Sequence, residues 1–265
     1  MTSGVRYEVD VRPGGAAIAT ITLDRPEQRN RLDAAGMAGL LDALRAAADD
    51  PHVRVVVLTG TGPAFCAGAD LSGAGTAGAF SDDGPRALER VLMEMLEMPK
   101  PIVARVQGHV AGGGNGLVAA ADLAVASDEA RFAFSEVRVG VAPAVISVVC
   151  LRVMNPRDAQ ELMLCGERVS AERVRQAGLV TAVVAADHLD DAVDAYVSAL
   201  LAGGPEAVAR TKGLLLRIPT LSLPDAFDEA TALSSSLFAS QEAREGMTAF
   251  LEKRAPAWAP AQAEG

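Results

Sequence analysis

The stretch QGHVAGGGNG, at residues 107–116, contains five glycines, three of them consecutive. The apolar run PIVARV at 101–106 predicts a buried strand before it, and LVAAA at 117–121 predicts the first turns of a helix after it. Glycines at such a junction permit positive φ angles and close approach of the backbone to a bound group. The free amides at the start of a helix can hold an anion, or an oxygen that becomes negative during a reaction.

Two other interpretations of this stretch stay open from the residues alone. A tight strand-to-helix turn without any chemistry accounts for the same glycines. A dinucleotide-binding loop requires G-x-G-x-x-G, whereas Gly112, Gly114 and Gly116 give G-x-G-x-G. Asp128 or Glu129 stands near the place of the acidic partner of such a loop, but the glycine spacing already departs from the motif.

The composition is that of a folded protein with one large core, or a core and a small appendage. The chain has 265 residues, of which 50% are hydrophobic and 22% are charged. Its net charge of -10 argues against nucleic acid and anionic membranes as main partners, because both require a basic surface. The first ten residues have no signal-peptide core and no apolar run approaches a membrane span, so we expect a cytoplasmic location. The cysteines do not suggest a disulfide framework and the histidines have no metal-ligand spacing, at positions Cys66, Cys150, Cys165, His52, His109 and His188.

Strand and helix patterns alternate over most of the chain and then change to helix alone. Strands are predicted at residues 16–23, 53–59, 123–126, 131–134 and 179–184. Helices are predicted to begin after the cap Asp33, at Pro85, at Pro143, at Asn155-Pro156 and after the cap Ser170. Residues 73–84 are predicted to form a mobile surface loop. Beyond Asp187 we predict one helix with the stripe Leu189, Val193, Tyr196 and Leu200, a second from Pro205, and a longer one from Pro224 toward Phe250. The prediction is therefore an α/β core at residues 1–200 and a helical C-terminal region at residues 201–265.

Six fragments, in this order, give the chain a resemblance to the crotonase family, the enoyl-CoA hydratases and isomerases. They are ITLDRPEQRN (21–30), AFCAGADL (64–71), QGHVAGGGNGLVAAADLAVAS (107–127), FAFSEVRVGVAP (132–143), AGLV (177–180) and EGMTAFLEKRAP (245–256). The resemblance implies an α/β fold in which ββα turns wind as a spiral to form the acyl-CoA-binding core, with C-terminal helices that form a homotrimer, often paired into a hexamer. It also implies acyl-CoA thioester substrates and no redox cofactor or metal, since coenzyme A is part of the substrate.

The resemblance also implies roles for particular residues. The backbone N–H groups of Ala69 and Gly113 would hold the thioester carbonyl oxygen, and Glu136 would be the general acid and base. A solvent-facing Glu136 after a strand is the alternative from the residues alone. One oxyanion donor contributes roughly 3–4 kcal/mol to transition-state stabilisation. The residues implied in substrate binding are Arg29, Ala67, Gly68, Asp70, Leu71, Gly112, Gly114 and Gly116, and Arg31 is a further candidate to meet the coenzyme A phosphates.

The chain departs from the two-carboxylate hydratases of the family at Gly116, where those enzymes carry a second Glu. One carboxylate suffices for Δ3-Δ2 isomerisation, and it serves some family hydratases in which other groups hold the water. Asn115, Ser135 and Asp70 are candidate helpers. The run at residues 135–147 also resembles a bacterial subgroup associated with branched, glutaconyl-type acyl-CoA hydration. We therefore expect an enoyl-CoA hydratase, a lyase, with the isomerase as first alternative and a non-catalytic acyl-CoA-binding protein as second.

Overall fold

The structure, a computed structural model, describes residues 4–68 and 83–259. Within these residues the strands are β1 (Val5–Val11), β2 (Ala17–Leu23), β3 (Val53–Gly60), β4 (Ala64–Cys66), β5 (Ile102–Val106), β6 (His109–Ala111), β7 (Leu123–Ser127), β8 (Arg131–Ala133), β9 (Arg168–Ser170) and β10 (Ala182–Val184). The helices are α1 (Ala34–Asp49), α2 (Asp83–Glu97), α3 (Gly113–Ala120), α4 (Ala144–Val153), α5 (Pro156–Cys165), α6 (Ala171–Gln176), α7 (Leu189–Ala202), α8 (Pro205–Arg217), α9 (Leu223–Phe238) and α10 (Gln241–Glu252).

The strands of the described residues form two sheets. The larger has the order β1-β2-β3-β5-β7-β10 and is parallel apart from β1, which pairs antiparallel with β2. The smaller has the order β4-β6-β8-β9, in which β9 is antiparallel to β8. Three successive units each consist of a strand of the larger sheet, a strand of the smaller sheet and a helix, as β3-β4-α2, β5-β6-α3 and β7-β8-α4. This repeated ββα turn is the architecture that the resemblance to the crotonase family implies.

The larger sheet is covered on both faces, which explains the continuous apolar sequence of β3. Val56 and Leu58 of β3 face the main core with α1 and α2, whereas Val55 and Val57 face α7. The α7 side chains buried on the sheet are Leu189, Val193, Val197 and Leu201. The predicted stripe placed Tyr196 and Leu200 there, but these two are only partly buried, because the contact line follows a spacing of four residues.

The capping signals were accurate, but one predicted helix is wrong. Asp33 accepts a hydrogen bond from the Gly36 backbone N–H at 2.7 Å and caps α1 as predicted. The helix predicted from Pro224 to Phe250 is two helices, because Ser240 caps a new start at α10 by accepting from the Ala243 N–H at 3.0 Å. The apolar pattern continues across that break and therefore concealed it.

Two of the predicted boundaries differ from those of the structural elements. The predicted division at residue 200 falls inside α7, and α2 begins at Asp83, two positions before the predicted Pro85. Most of the predicted loop at residues 73–84 lies outside the described residues. No helix in the described part of the chain is long and apolar enough to cross a membrane.

Candidate active site

The loop at residues 29–32 holds the first predicted oxyanion segment in place. Arg29 and Asn30 both have left-handed backbone, with φ of 54° and 55°. The Arg29 carbonyl accepts from the Ala67 N–H at 3.0 Å, and the Leu32 N–H donates to the Gly68 carbonyl at 2.7 Å. The segment that ends at Gly68 is therefore fixed by backbone hydrogen bonds on both sides.

The buried Asn30 side chain keeps that loop in its unusual conformation. Its Nδ2 donates to the Thr61 carbonyl at 2.9 Å and to the Ala64 carbonyl at 2.7 Å, while its Oδ1 accepts from the Arg25 N–H at 2.9 Å. Asparagine tolerates left-handed backbone better than most residues. Local sequence patterns do not single out Asn30, because the two carbonyl groups that accept from its side chain, those of Thr61 and Ala64, lie in a distant segment.

The glycine turn brings the second segment against the first. Gly112, between β6 and α3, has φ 51° and ψ -126°, which residues with a side chain rarely adopt. A β-carbon on Gly112 would lie 3.4 Å from Gly68 Cα, and one on Gly68 would lie 3.2 Å from the Gly113 nitrogen. A β-carbon on Gly114 would lie 2.5 Å from the Cys66 carbonyl oxygen. The two segments therefore touch through their backbones, and side chains would separate them.

Helix α3 begins at Gly113, inside the glycine cluster, rather than at the apolar run that predicted it. The first amides of a helix have no partner within the helix, and the positive end of the helix dipole lies behind them. Ala69, Asp70 and Leu71 lie outside the described residues. The pairing of the Ala69 amide with the Gly113 amide therefore stays a prediction, for which the contact between Gly68 and Gly113 is the nearest described geometry.

Glu136 faces the glycine turn from the smaller sheet. It lies in the 3₁₀ turn Ser135–Val139 that follows β8, and a β-carbon on Gly112 would lie 3.7 Å from its Oε1. Its Oε2 is buried and has no hydrogen-bond partner among the described residues. Burial raises the pKa of Glu136, and a hydrogen bond from its own backbone N–H opposes that shift in part. A carboxyl group in this environment suits proton transfer near neutral pH.

Hydrocarbon occupies the place where a second acid would stand. A β-carbon on Gly116 would lie 2.6 Å from Ile146 Cγ2 and 3.5 Å from Leu92 Cδ1. Ile146 and Leu92 are buried side chains of α4 and α2. Any larger side chain at position 116 requires Ile146 to move. The sequence shows that position 116 carries no acid. It does not show that Ile146 fills the adjoining space, because Ile146 belongs to the next helix.

The comparisons with known proteins identify the family. A family model for enoyl-CoA hydratase/isomerase matches residues 14–261. The chain belongs to this family. The structure of an enoyl-CoA hydratase from Mycobacterium smegmatis superposes with a TM-score of 0.87 and 36% sequence identity, covering 95% of this chain and 98% of that one. The predicted family and the predicted fold class are both confirmed.

Two relatives of this enoyl-CoA hydratase/isomerase family member have more specific names. A carnitinyl-CoA dehydratase from Salmonella arizonae is 34% identical over 248 residues, which cover 91% of this chain and 94% of the relative. An (E)-benzylidenesuccinyl-CoA hydratase from Thauera aromatica is 32% identical over 248 residues, covering 91% and 95%. Such similarity along nearly the whole chain supports an enzyme of hydratase or lyase type.

Three arginines act electrostatically on His109, the first residue of β6 in this family member. Burial lowers the pKa of His109, and the charges of Arg168, Arg131 and Arg29 lower it further. These three arginines are therefore close enough to His109 to act on it electrostatically. The sequence analysis singled out Arg29 but not Arg131 and Arg168, which lie on the paired strands β8 and β9 opposite Ser170 and Ala133. Arg31 is partly buried in the loop that holds the Gly68 segment.

Proposed function

We propose that the protein adds water to a 2-enoyl-CoA, with Glu136 as the acid and base and the amides of Ala69 and Gly113 as the oxyanion donors. The observation that carries this proposal is the position of the Glu136 carboxyl group. Its Oε1 lies 3.7 Å from the position that a β-carbon on Gly112 would take, beside the turn that presents the Gly113 amide. A proton-transfer group and a helix start thus face the same small space.

The proposed reaction needs one carboxylate and a site for negative charge. Glu136 accepts a proton from water as the water oxygen bonds to the β-carbon. The electrons of the carbon–carbon double bond move toward the thioester carbonyl, which becomes an enolate oxygen. Main-chain N–H groups bind that oxygen more strongly than the neutral carbonyl, and such differential binding lowers the barrier. Glu136 then returns the proton to the α-carbon, giving a 3-hydroxyacyl-CoA.

A direct assay tests this proposal. The purified protein should reduce the ultraviolet absorbance of the conjugated 2-enoyl thioester, and mass spectrometry should show a product heavier by one water. Glu136→Gln should abolish this conversion while binding of a coenzyme A ester, measured by calorimetry, is kept. Unchanged turnover in Glu136→Gln would refute the role of Glu136.

A Δ3-Δ2 enoyl-CoA isomerase is the second candidate, and the closed space at Gly116 favours it. Because Ile146 Cγ2 fills the place of a second carboxylate, Glu136 alone would move a proton between the two carbons. An isomerase would increase the conjugated absorbance of a 3-enoyl-CoA without adding water. A non-catalytic acyl-CoA-binding protein would bind both esters and convert neither.

Two features support a coenzyme A ester with an apolar acyl chain as the ligand. Arg29, Arg131 and Arg168, whose charges act on His109, are basic groups on an otherwise acidic protein, and such groups suit the coenzyme A phosphates. A β-carbon on Gly113 would lie 3.3 Å from Leu32 Cδ1 and 3.5 Å from Leu88 Cδ2, so the glycine turn borders hydrocarbon. The resemblance of residues 135–147 to the glutaconyl-type subgroup makes a branched acyl chain the first substrate to test.

We also propose that the protein is a homotrimer or a hexamer. The C-terminal helices leave large apolar side chains exposed, which monomeric proteins seldom do over a wide surface. These side chains are Leu223, Phe227, Phe238, Met247, Phe250 and Leu251. Light scattering coupled to gel filtration measures the assembly directly, and a monomer at micromolar concentration would contradict this proposal. A cytoplasmic location stays a prediction from the sequence.

A further inference from the structure

A fully buried asparagine links the glycine turn to the strand that precedes Glu136. Asn115 lies in α3 with an exposed fraction of 0%. Its Nδ2 donates to the Ala133 carbonyl at 2.8 Å, and the Gly112 backbone N–H donates to the same carbonyl at 3.3 Å. Ala133 is the last residue of β8, three positions before Glu136. One carbonyl oxygen therefore receives donors from both ends of the turn that carries the Gly113 amide.

The side-chain oxygen of Asn115 makes this arrangement unusual. Oδ1 is buried and has no hydrogen-bond partner among the described residues. Reversing the amide would place Oδ1 against the Ala133 carbonyl, where two acceptors repel, so the Nδ2 hydrogen bond fixes the orientation. A buried unpaired acceptor destabilises the folded state, and an apolar side chain of similar size would avoid it. The donor group, rather than stability, is therefore what asparagine provides here.

A second contact, through Cys150, connects Asn115 with the surroundings of Glu136. The Cys150 thiol of α4 donates to the Asn115 backbone carbonyl at 3.8 Å. Burial raises the pKa of Cys150, and the charge of Glu136 raises it further, so that carboxyl group is electrostatically close to the same helix. Asn115 thus lies between the backbone of the predicted oxyanion donor and the elements around the predicted base.

We propose that Asn115 is a positioning residue that fixes the Glu136 carboxyl group relative to the Gly113 amide through the Ala133 carbonyl. The inference rests on the proposed function, because it assigns Asn115 a role in that reaction without contact with the substrate. A small displacement between reacting groups is enough to slow an enzyme about a hundredfold. Loss of the Nδ2 donor should therefore affect turnover more than binding.

Asn115→Leu tests the donor with a side chain of the same branched shape and somewhat larger volume. We expect kcat to fall about ten- to a hundredfold, with KM changed less than threefold, because only the positioning contact is lost. The melting temperature should stay nearly constant, since the substitution removes the unpaired Oδ1 along with the donor. Thr59→Val is the matched control, because it removes a hydroxyl that donates to the Arg105 carbonyl at 2.9 Å within the larger sheet. Its kcat should match the wild type.

Asn115→Asp adds a second measurement, the pH dependence of kcat, which a purely structural role for Asn115 would leave unchanged. The neutral carboxyl group can donate its O–H to the Ala133 carbonyl, whereas the ionised group cannot. The ratio of variant to wild-type kcat should therefore be highest at low pH and fall as pH rises. Glu136 and Cys150 are the titratable groups near this position. An ionised carboxyl group at position 115 would also raise the pKa of Glu136, which leaves less ionised base at low pH and makes the ratio rise with pH. A ratio that falls as pH rises therefore reports the lost donor.

The outcomes separate this inference from the proposed function. Wild-type kcat in Asn115→Leu, or a ratio for Asn115→Asp that does not change with pH, would overturn the positioning role. If Asn115→Leu does not fold, the pH dependence of Asn115→Asp decides alone. If Glu136→Gln keeps full turnover, the proposed function fails whatever the Asn115 variants do.

Discussion

Two buried polar sites in this protein differ in whether their polar atoms have hydrogen-bond partners. Lys212 of α8 is 7% exposed, and its Nζ donates to the Met95 carbonyl at 2.8 Å, the Lys100 carbonyl at 3.0 Å and Asp122 Oδ2 at 2.8 Å. All three protons of the ammonium group are therefore matched. At the glycine turn, Glu136 Oε2 and Asn115 Oδ1 are buried without a partner among the described residues.

This comparison indicates that Lys212 stabilises the fold, whereas Glu136 is available for proton transfer. A paired buried ammonium ion stabilises one arrangement of α8 against α2 and the larger sheet. Buried oxygens without partners lower stability and persist where function requires them. A carboxyl group with a raised pKa beside a helix start is typical of a catalytic site. We therefore expect the Glu136 site to respond in activity and the Lys212 site to respond in stability.

The largest effect should follow Glu136→Gln. Turnover should fall about 10²–10⁴-fold, because the amide cannot accept a proton. The free energy of unfolding should stay the same or rise slightly, since the amide carries no charge that burial disfavours. Steady-state kinetics and urea unfolding measure the two quantities. Glu129→Gln, an exposed position before β8, is the control and should change neither.

The next effect should follow Lys212→Met, and it should appear in stability. The substitution leaves the Met95 and Lys100 carbonyls and Asp122 without their shared donor. We expect a loss of about 2–4 kcal/mol in the free energy of unfolding, less than for a fully buried pair because the Asp122 side chain is 26% exposed. Turnover per folded molecule should be kept.

Arg210→Met, on the exposed side of the same helix, is the control for Lys212→Met. Its guanidinium lies 3.7 Å from Glu206, and exposed pairs of this kind contribute about 0–1 kcal/mol. Equal losses of stability in the two variants would contradict the contrast between the sites. A large loss of kcat in folded Lys212→Met would contradict it as well.

A smaller effect is expected from Gly116→Ala. The new β-carbon would lie 2.6 Å from Ile146 Cγ2, so the Ile146 side chain must move at a cost of about 1–2 kcal/mol. Combining it with Ile146→Leu should recover most of that stability, because leucine keeps the apolar volume but lacks the Cγ2 methyl group that the new β-carbon meets. Thermal unfolding of the single and double variants measures the coupling. Additive losses would show that the two positions do not touch.

The smallest effect is the pH dependence of stability, and its sign differs between the two sites. Because burial raises the pKa of Glu136, the folded protein retains this proton longer than the unfolded chain, so stability falls as pH rises above about 4.3. Burial lowers the pKa of Lys212, with Asp122 opposing in part, so stability rises with pH in the alkaline range up to about 10.4. Urea unfolding across pH should show that Glu136→Gln and Lys212→Met each remove one slope. Slopes unchanged from the wild type would contradict this assignment.

Local signals predicted much of the fold, and long-range contacts account for the rest. The cap at Asp33 and the apolar run of β3 are local, and both predictions were accurate. The strands β4, β6 and β9 have three residues each, too few for a period to show. At the site, sequence patterns pointed to Glu136 and the glycines. They did not show that Ile146 closes the space at Gly116, because that contact exists only after α4 packs on α3.

The most direct test of the account is a crystal structure of the Glu136→Gln variant with a 2-enoyl-CoA bound. We predict that the thioester carbonyl oxygen lies about 2.7–3.1 Å from the backbone nitrogens of both Ala69 and Gly113, with the introduced amide beside the α- and β-carbons. A carbonyl oxygen bound away from these two nitrogens, or an acyl chain remote from position 136, would contradict it.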